Sequence, residues 1–147
     1  MKEGGSIKQL LSFTLVGELY GIELEDCKEV DHNKNILKVP HSPEHVLGIV
    51  NLRGDVVTIL NLMALFGKDW NFIENKSSLI RLKGKKESFA ILADSISDIV
   101  EIPEENLEPC PSHLNEKESK FIDHISIIKS ETIIIVNQQE LLRIADE

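Results

Sequence analysis

The sequence predicts an all-β protein built as a tandem pair of small β-barrels with short capped helices. Three observations carry that expectation. Aliphatic and β-branched residues come in short runs separated by turn residues. Two of these runs lead into an asparagine followed by helix formers, the pattern of an N-cap. The order of features also repeats, so that the second half of the chain reads as a divergent copy of the first.

Taken in order, Leu10–Leu15 and Tyr20–Leu24 open the chain as strands, with Gly17-Glu18 as the hairpin turn between them. Val46–Leu52 and Val56–Leu60 follow, joined across Arg53-Gly54-Asp55, and Asn61 then caps a helix over Leu62–Phe66. The second half offers Ser78–Leu82 and Ser88–Ala93 around Lys83-Gly84-Lys85-Lys86, and then Ile99–Ile102. Phe121–Ile128 and Thr132–Val136 flank Lys129-Ser130-Glu131, and Asn137 caps a helix over Gln138–Ile144. Each half reads as strand, turn, strand, acidic turn, strand, long loop, strand, hairpin turn, strand and helix, which suffices to close one five-stranded barrel.

The repetition is detailed. Ile59-Leu60-Asn61-Leu62 through Leu65-Phe66 matches Ile135-Val136-Asn137-Gln138 through Leu141-Leu142 in character, and Gly21 to Val30 can be laid on Ala90 to Ile99. We expect a flexible segment over 1–8 and one domain over 9–147, made of two intertwined units at about 9–70 and 77–147. The boundary falls within Gly67–Lys76, where Trp70 covers the junction, and Pro103–Lys120, with three prolines, reads as a long exposed loop.

Composition narrows the function classes. With 147 residues and 41% hydrophobic content, the chain can build its own core without disulfides. Cys27 and Cys110 are far apart and lack the dense spacing of a secreted scaffold, which points to the reduced cytoplasm. No apolar run approaches the roughly 20 residues that span a bilayer, and Met1 to Lys8 lacks the apolar core of a signal peptide, so direct membrane insertion is not expected. A formal charge of −9 repels phosphate backbones, and Arg81, Lys83, Lys85 and Lys86 form only one local basic cluster, which disfavours nucleic acid.

No catalytic motif is present. No serine sits in a G-x-S-x-G elbow, and Gly84-Lys85-Lys86 lacks the upstream glycine of a phosphate loop and precedes Glu87. His41 and His45 have helical spacing, but Pro43 lies between them, and no cysteine or acid cluster completes a metal site. His32, His113 and His124 are isolated, and the pairs Glu25-Asp26 and Glu104-Glu105 flank turns where solvated charge is ordinary. An enzyme would require these scattered groups to meet in one pocket. Two small barrels instead leave a seam and exposed edge strands, features suited to binding another protein, with no cofactor or metal expected.

The segment Gly48-Ile49-Val50-Asn51-Leu52-Arg53-Gly54-Asp55-Val56-Val57 closely resembles the central signature of the CheW family, an N-L-R-G hairpin between β-branched strands. The flanking order is similar too: Leu11-Ser12-Phe13, Ile22–Val30, Ala93-Asp94-Ser95-Ile96 and Ile134-Ile135-Val136-Asn137, so that the likeness runs from Leu10 to Leu142. The chain departs from the family pattern at Thr58, often proline there, at Asn61 and Asn137, commonly aspartate, and at Ala90 and His124-Ile125, where glycine is usual. The resemblance implies a non-catalytic cytoplasmic adaptor with two five-stranded barrels. Its partners are then the regulatory domain of a CheA-type histidine kinase and the cytoplasmic tips of chemoreceptors, and it joins membrane receptor arrays only through them. The alternative is a CheW-like regulatory module of a signalling pathway unrelated to taxis. A kinase regulatory domain excised from a longer chain is disfavoured, because the sequence starts at Met1 and ends soon after the last capped helix.

The same resemblance nominates a receptor-binding groove lined by Leu24, Cys27 and Val30, with their repeat counterparts Ile96 and Ile99 as the opposite wall. Spacing by three equally suits residues facing the barrel's own core. Arg53, at the tip of the signature hairpin, is nominated as a partner for an acceptor carboxylate. Asn51 and Gly54 support that hairpin through backbone geometry.

Overall fold

The computed structural model describes residues 6–32, 35–68, 77–84, 88–110 and 114–145. Strands β1 (Ile7–Leu15) and β2 (Glu18–Glu23) form a hairpin, and one turn of 3-10 helix over Leu24–Asp26 leads into β3 (Cys27–Asp31). The hairpin of β4 (Val46–Leu52) and β5 (Asp55–Leu60) ends in helix α1 (Leu62–Leu65). Strands β6 (Ser78–Leu82), β7 (Ser88–Ala93) and β8 (Ser95–Pro103) precede a 3-10 turn at Glu104–Asn106 and the two-residue β9 (Glu108–Pro109). Helix α2 (Glu116–Phe121), the hairpin of β10 (Ile122–Ile128) and β11 (Glu131–Val136), and helix α3 (Gln138–Ala145) complete the described chain.

The all-β class holds, and the strands are shared between the repeats. One sheet runs β8-β1-β2-β11-β10-β9 and the other β3-β6-β7-β5-β4, so each draws on both halves of the chain. The β4–β5 hairpin leaves one edge of β5 unpaired, and β7 from the other half occupies it in parallel; β2 takes the same place beside β11. The sheets therefore do not divide where the sequence repeat does. Duplication still governs the register: Ile59 lies opposite Ala90 as Ile135 lies opposite Gly21. Irregularities fall at matching places as well, between Cys27 and Glu29 against β6, and between Leu11 and Phe13 against β8.

Each sheet curls until the chain leaving one outer strand meets the other. Beyond β8, Pro109 and Glu108 of β9 pair with His124 and Ile125 of β10. Beyond β3, Leu37 exchanges both backbone hydrogen bonds with Ile49 of β4 at 2.8 Å. A Cβ on Gly48 would sit 2.5 Å from the Leu37 carbonyl oxygen, so this closure demands glycine there. Joining the edges in this way leaves little free strand for unwanted pairing.

Among the described residues, three apolar clusters form the core. Val50, Leu52, Val57, Ile59, Leu79, Ala90 and Leu92 line the interior of the second sheet, and Leu10, Ile102, Ile133 and Ile135 that of the first. The largest cluster lies between the sheets and combines Phe13, Tyr20 and Ile22 of the first with Ile80, Leu82 and Ile91 of the second. Tyr20 is stacked between Phe13 and Phe66, with ring centroids 5.7 and 5.8 Å apart, and burial pushes its phenol up to about 12. The helix caps form as the sequence predicts: Asn61 Oδ1 accepts from Ala64 N and Asn137 Oδ1 from Glu140 N, both at 3.2 Å.

Several local expectations change. Ile7 and Lys8 belong to β1, because β8 extends to Pro103 and pairs with them. Leu24 leaves the strand for a 3-10 turn, and Cys27–Asp31 forms a strand that its charged residues concealed. Pro103–Lys120 is not one loop: it contains β9 and most of α2, whose cap Asn115 accepts from Glu118 N at 2.7 Å while donating to Glu118 Oε1 at 2.9 Å. Phe121 ends that helix instead of starting β10. Trp70, His113, Lys85, Lys86 and most of the 67–76 boundary lie outside the described residues.

Candidate functional site

The signature hairpin is built from its turn outward. Leu52 and Asp55 are the last paired residues, and both residues between them have positive φ, 54° for Arg53 and 88° for Gly54. That is a two-residue type I′ turn, whose twist matches that of its strands and whose second position glycine occupies without strain. Asn51 Oδ1 accepts the Gly54 amide at 3.0 Å, tying the turn to its strand and leaving Arg53 at the tip. The Arg53 side chain is 79% exposed.

Beneath the turn lies a network of charges. Arg81 of β6 shares a face with Leu79, in the interior of the second barrel, and its side chain is only 1% exposed. Its Nη1 donates to Glu29 Oε2 at 3.1 Å, and its Nη2 donates to Asp55 Oδ2 at 2.7 Å and Ser88 Oγ at 3.0 Å. Glu29, 18% exposed, turns its other oxygen to Arg53 Nε at 3.0 Å. One guanidinium thus links β3, β6, β7 and β5, and through Glu29 it reaches the turn between β4 and β5. The hydrogen bond from Arg81 holds the Asp55 carboxyl below the usual carboxylate range. Arg81 Nε has no hydrogen-bond partner among the described residues.

The remaining nominated residues converge on the seam. Residues directly opposite in an antiparallel pair share a face. Cys27 is opposite Leu82 and Val30 opposite Ile80, while Ile96 is opposite Phe13 and Ile99 opposite Leu11. All four opposing residues belong to the cluster between the sheets, and Leu24 packs against the same cluster. Leu24, Cys27 and Ile96 are half-buried against it, whereas Val30 at 39% and Ile99 at 56% exposure stand at its rim. Arg53 is not part of this seam; it reaches β3 at Glu29, the neighbour of Val30.

Little here resembles reactive chemistry. Burial, with Asp26 adding to it, pushes the Cys27 thiol up to about 12, so it stays protonated and unreactive. His32 Nδ1 is bonded to Ser78 Oγ at 3.0 Å, and His124 sits beside Asp123. Among the described residues no three His, Cys, Asp or Glu side chains converge in a way that could hold a metal ion. No helix among them is long and apolar enough to cross a membrane. A cleft of about 410 Å³ beside α1, α2 and α3 is lined by Ala64, Leu65, Phe121 and Ile144 together with His45 and Lys120.

Glu29, Asp55, Arg81 and Ser88 are absent from the residues nominated by sequence, and Arg81 is no member of a surface basic cluster. A usable signal existed: Arg81 interrupts the apolar run Leu79-Ile80-Arg81-Leu82, and a charge inside a strand buried on both faces requires acidic partners.

With this geometry in view, comparisons with known proteins agree. The CheW-like domain family matches residues 9–146. The chain is 24% identical over 135 residues to "Chemotaxis protein CheW" of Klebsiella aerogenes, covering 92% of this chain and 81% of that protein. It is 25% identical over 134 residues to "Probable chemotaxis protein CheW" of Rhizobium etli, covering 91% and 86%. The crystal structure of the scaffolding protein TtCheW from Thermoanaerobacter tengcongensis superposes with a TM-score of 0.79 at 28% identity, covering 90% of each chain.

Proposed function

Since the chain belongs to the CheW-like domain family, we propose that it is a non-catalytic adaptor coupling chemoreceptors to a histidine kinase of the CheA type. The observation that carries this reading is the family match over nearly the whole chain, 9–146. The names of its relatives place them in chemotaxis, and a structural neighbour is itself named a scaffolding protein. The architecture suits the role, since what it offers a partner is shape and charge at a seam and a hairpin.

On this reading the apolar side of a receptor's helical hairpin lies along the seam between the barrels. Val30 and Ile99 meet it at the rim, with Leu24, Cys27 and Ile96 as the floor, and Arg53 pairs with a receptor carboxylate beside them. An exposed pair of that kind contributes about 0–1 kcal/mol, so Arg53 sets alignment more than affinity. Coupling by assembly needs only an interface of roughly 1,200–2,000 Å², because a receptor array adds avidity. The kinase regulatory domain binds elsewhere on the adaptor, which places the chain in the cytoplasm at receptor arrays.

The test is a pull-down from native extract with the whole chain as bait and mass spectrometry of what is retained. Recovery of a CheA-type kinase together with chemoreceptors supports the proposal, and a different signalling set moves the same fold to another pathway. Arg53→Glu, which sets a like charge against Glu29 and against the receptor carboxylate, is expected to lose receptors while keeping the kinase. Undiminished receptor recovery by that variant overturns the assignment of Arg53.

A further inference from the structure

We propose that Arg81 is a positioning residue for Arg53: from inside the barrel it fixes Glu29 and Asp55, and through Glu29 it sets where the hairpin-tip guanidinium points. The functional consequence rests on the adaptor reading above, but the positioning itself is a property of the free protein.

The geometry supports this in three steps. An exposed arginine held by one exposed carboxylate keeps most of its rotamer freedom, and such pairs are weak. Glu29 is a different kind of partner, because its second oxygen is bound at 3.1 Å to an arginine whose side chain is 1% exposed. Arg81 cannot swing, being tied also to Asp55 at 2.7 Å and Ser88 at 3.0 Å on two other strands. Asp55 flanks Gly54 in the turn, so the same guanidinium holds both the base of the turn and the carboxylate that receives Arg53.

The fold itself does not call for this charge. By the repeat register, the counterpart of Arg81 in β1 is Ser12, which lies between Leu11 and Phe13 as Arg81 lies between Ile80 and Leu82. Ser12 satisfies its own needs by donating to the Asp98 carbonyl at 2.5 Å and accepting the Asp98 amide at 3.0 Å, without touching the other hairpin. A buried charge that a neutral hydroxyl can replace in the sister barrel calls for a reason beyond packing.

The test uses the intact chain labelled with ¹⁵N and follows the Arg53 Nε–Hε signal, assigned by its loss in Arg53→Ala. In the Arg81→Met variant we expect its hydrogen exchange to quicken by about two- to tenfold, the lower part of the range of couplings between residues in one network. Asp55→Asn, which opens no cavity, gives a smaller change of the same sign and decides the matter if Arg81→Met fails to fold. An Arg53 signal unchanged in both folded variants overturns the proposal. Titration with a purified chemoreceptor tip fragment then separates the two claims. Arg53→Ala and Arg81→Met should each weaken tip binding with losses that do not add in the double variant, while kinase-domain binding stays constant. Additive losses overturn the positioning role; no loss in Arg53→Ala overturns the receptor contact and leaves the exchange result to judge Arg81.

Discussion

The two barrels share turns, irregularities and caps, yet differ in what occupies four equivalent places. Arg81, Glu29, Asp55 and Ser88 in one correspond by register to Ser12, Asp98, Glu131 and Leu19 in the other. In the first set a long cation crosses several strands and touches a hairpin. In the second a short hydroxyl closes its own strand irregularity. The hairpins differ in step, since Lys129 and Ser130 take φ of 48° and 70° without a glycine, where Arg53 is followed by Gly54. The difference teaches that the duplicated scaffold needs no buried cation, and that the charged network serves the hairpin bearing the signature.

The widest separation between the barrels should appear when the partners of the buried cation are removed. Glu29→Ala combined with Asp55→Ala leaves Arg81 without its carboxylates and is expected to destabilise the protein more than any change in the other barrel. Ser12→Ala in the other barrel costs about 1 kcal/mol. Urea denaturation of the three proteins measures both, and equal losses would break the comparison.

The turns provide a smaller contrast. Ser130→Gly relieves a left-handed residue and should stabilise the protein by about 1 kcal/mol, read from the denaturation midpoint. Gly54→Ser should move the midpoint the other way.

The smallest effect is one of pH. Asp55 has a pKa lowered in the folded state by Arg81, so its contribution is fully present above the unfolded value of 3.8 and is lost as pH falls through the folded value below it. A carboxyl-carbon titration by NMR should show Asp55 titrating below the usual range in the wild type and returning toward it in Arg81→Met. No displacement between the two proteins would remove the electrostatic part of the account.

What the sequence made legible was what local chemistry determines. Alternation and turn residues located most strands, and Asn61 and Asn137 announced their helices by the same capping geometry the structure shows. Helix α2 was hidden because it buries only Glu118 and Phe121 and so lacks an apolar stripe. Which strands the intertwined units exchange was also hidden: parallel pairing of β5 with β7 joins residues far apart in sequence, and no local pattern encodes it. At the site, the family resemblance nominated Val30 and the internal repeat nominated Ile99, and ladder partners were needed to show that both face one seam. Arg81 was misread because Lys83, Lys85 and Lys86 follow it, although alternation places it beside Leu79 on an interior face.

The central claim is that this chain joins two partners at once. It is tested most directly by mixing the full chain with a chemoreceptor tip fragment and a CheA-type kinase regulatory domain from the same organism, then measuring the mass of the complex by light scattering after gel filtration. The account predicts a ternary species containing all three. Binding of only one partner, or displacement of one by the other, would contradict it.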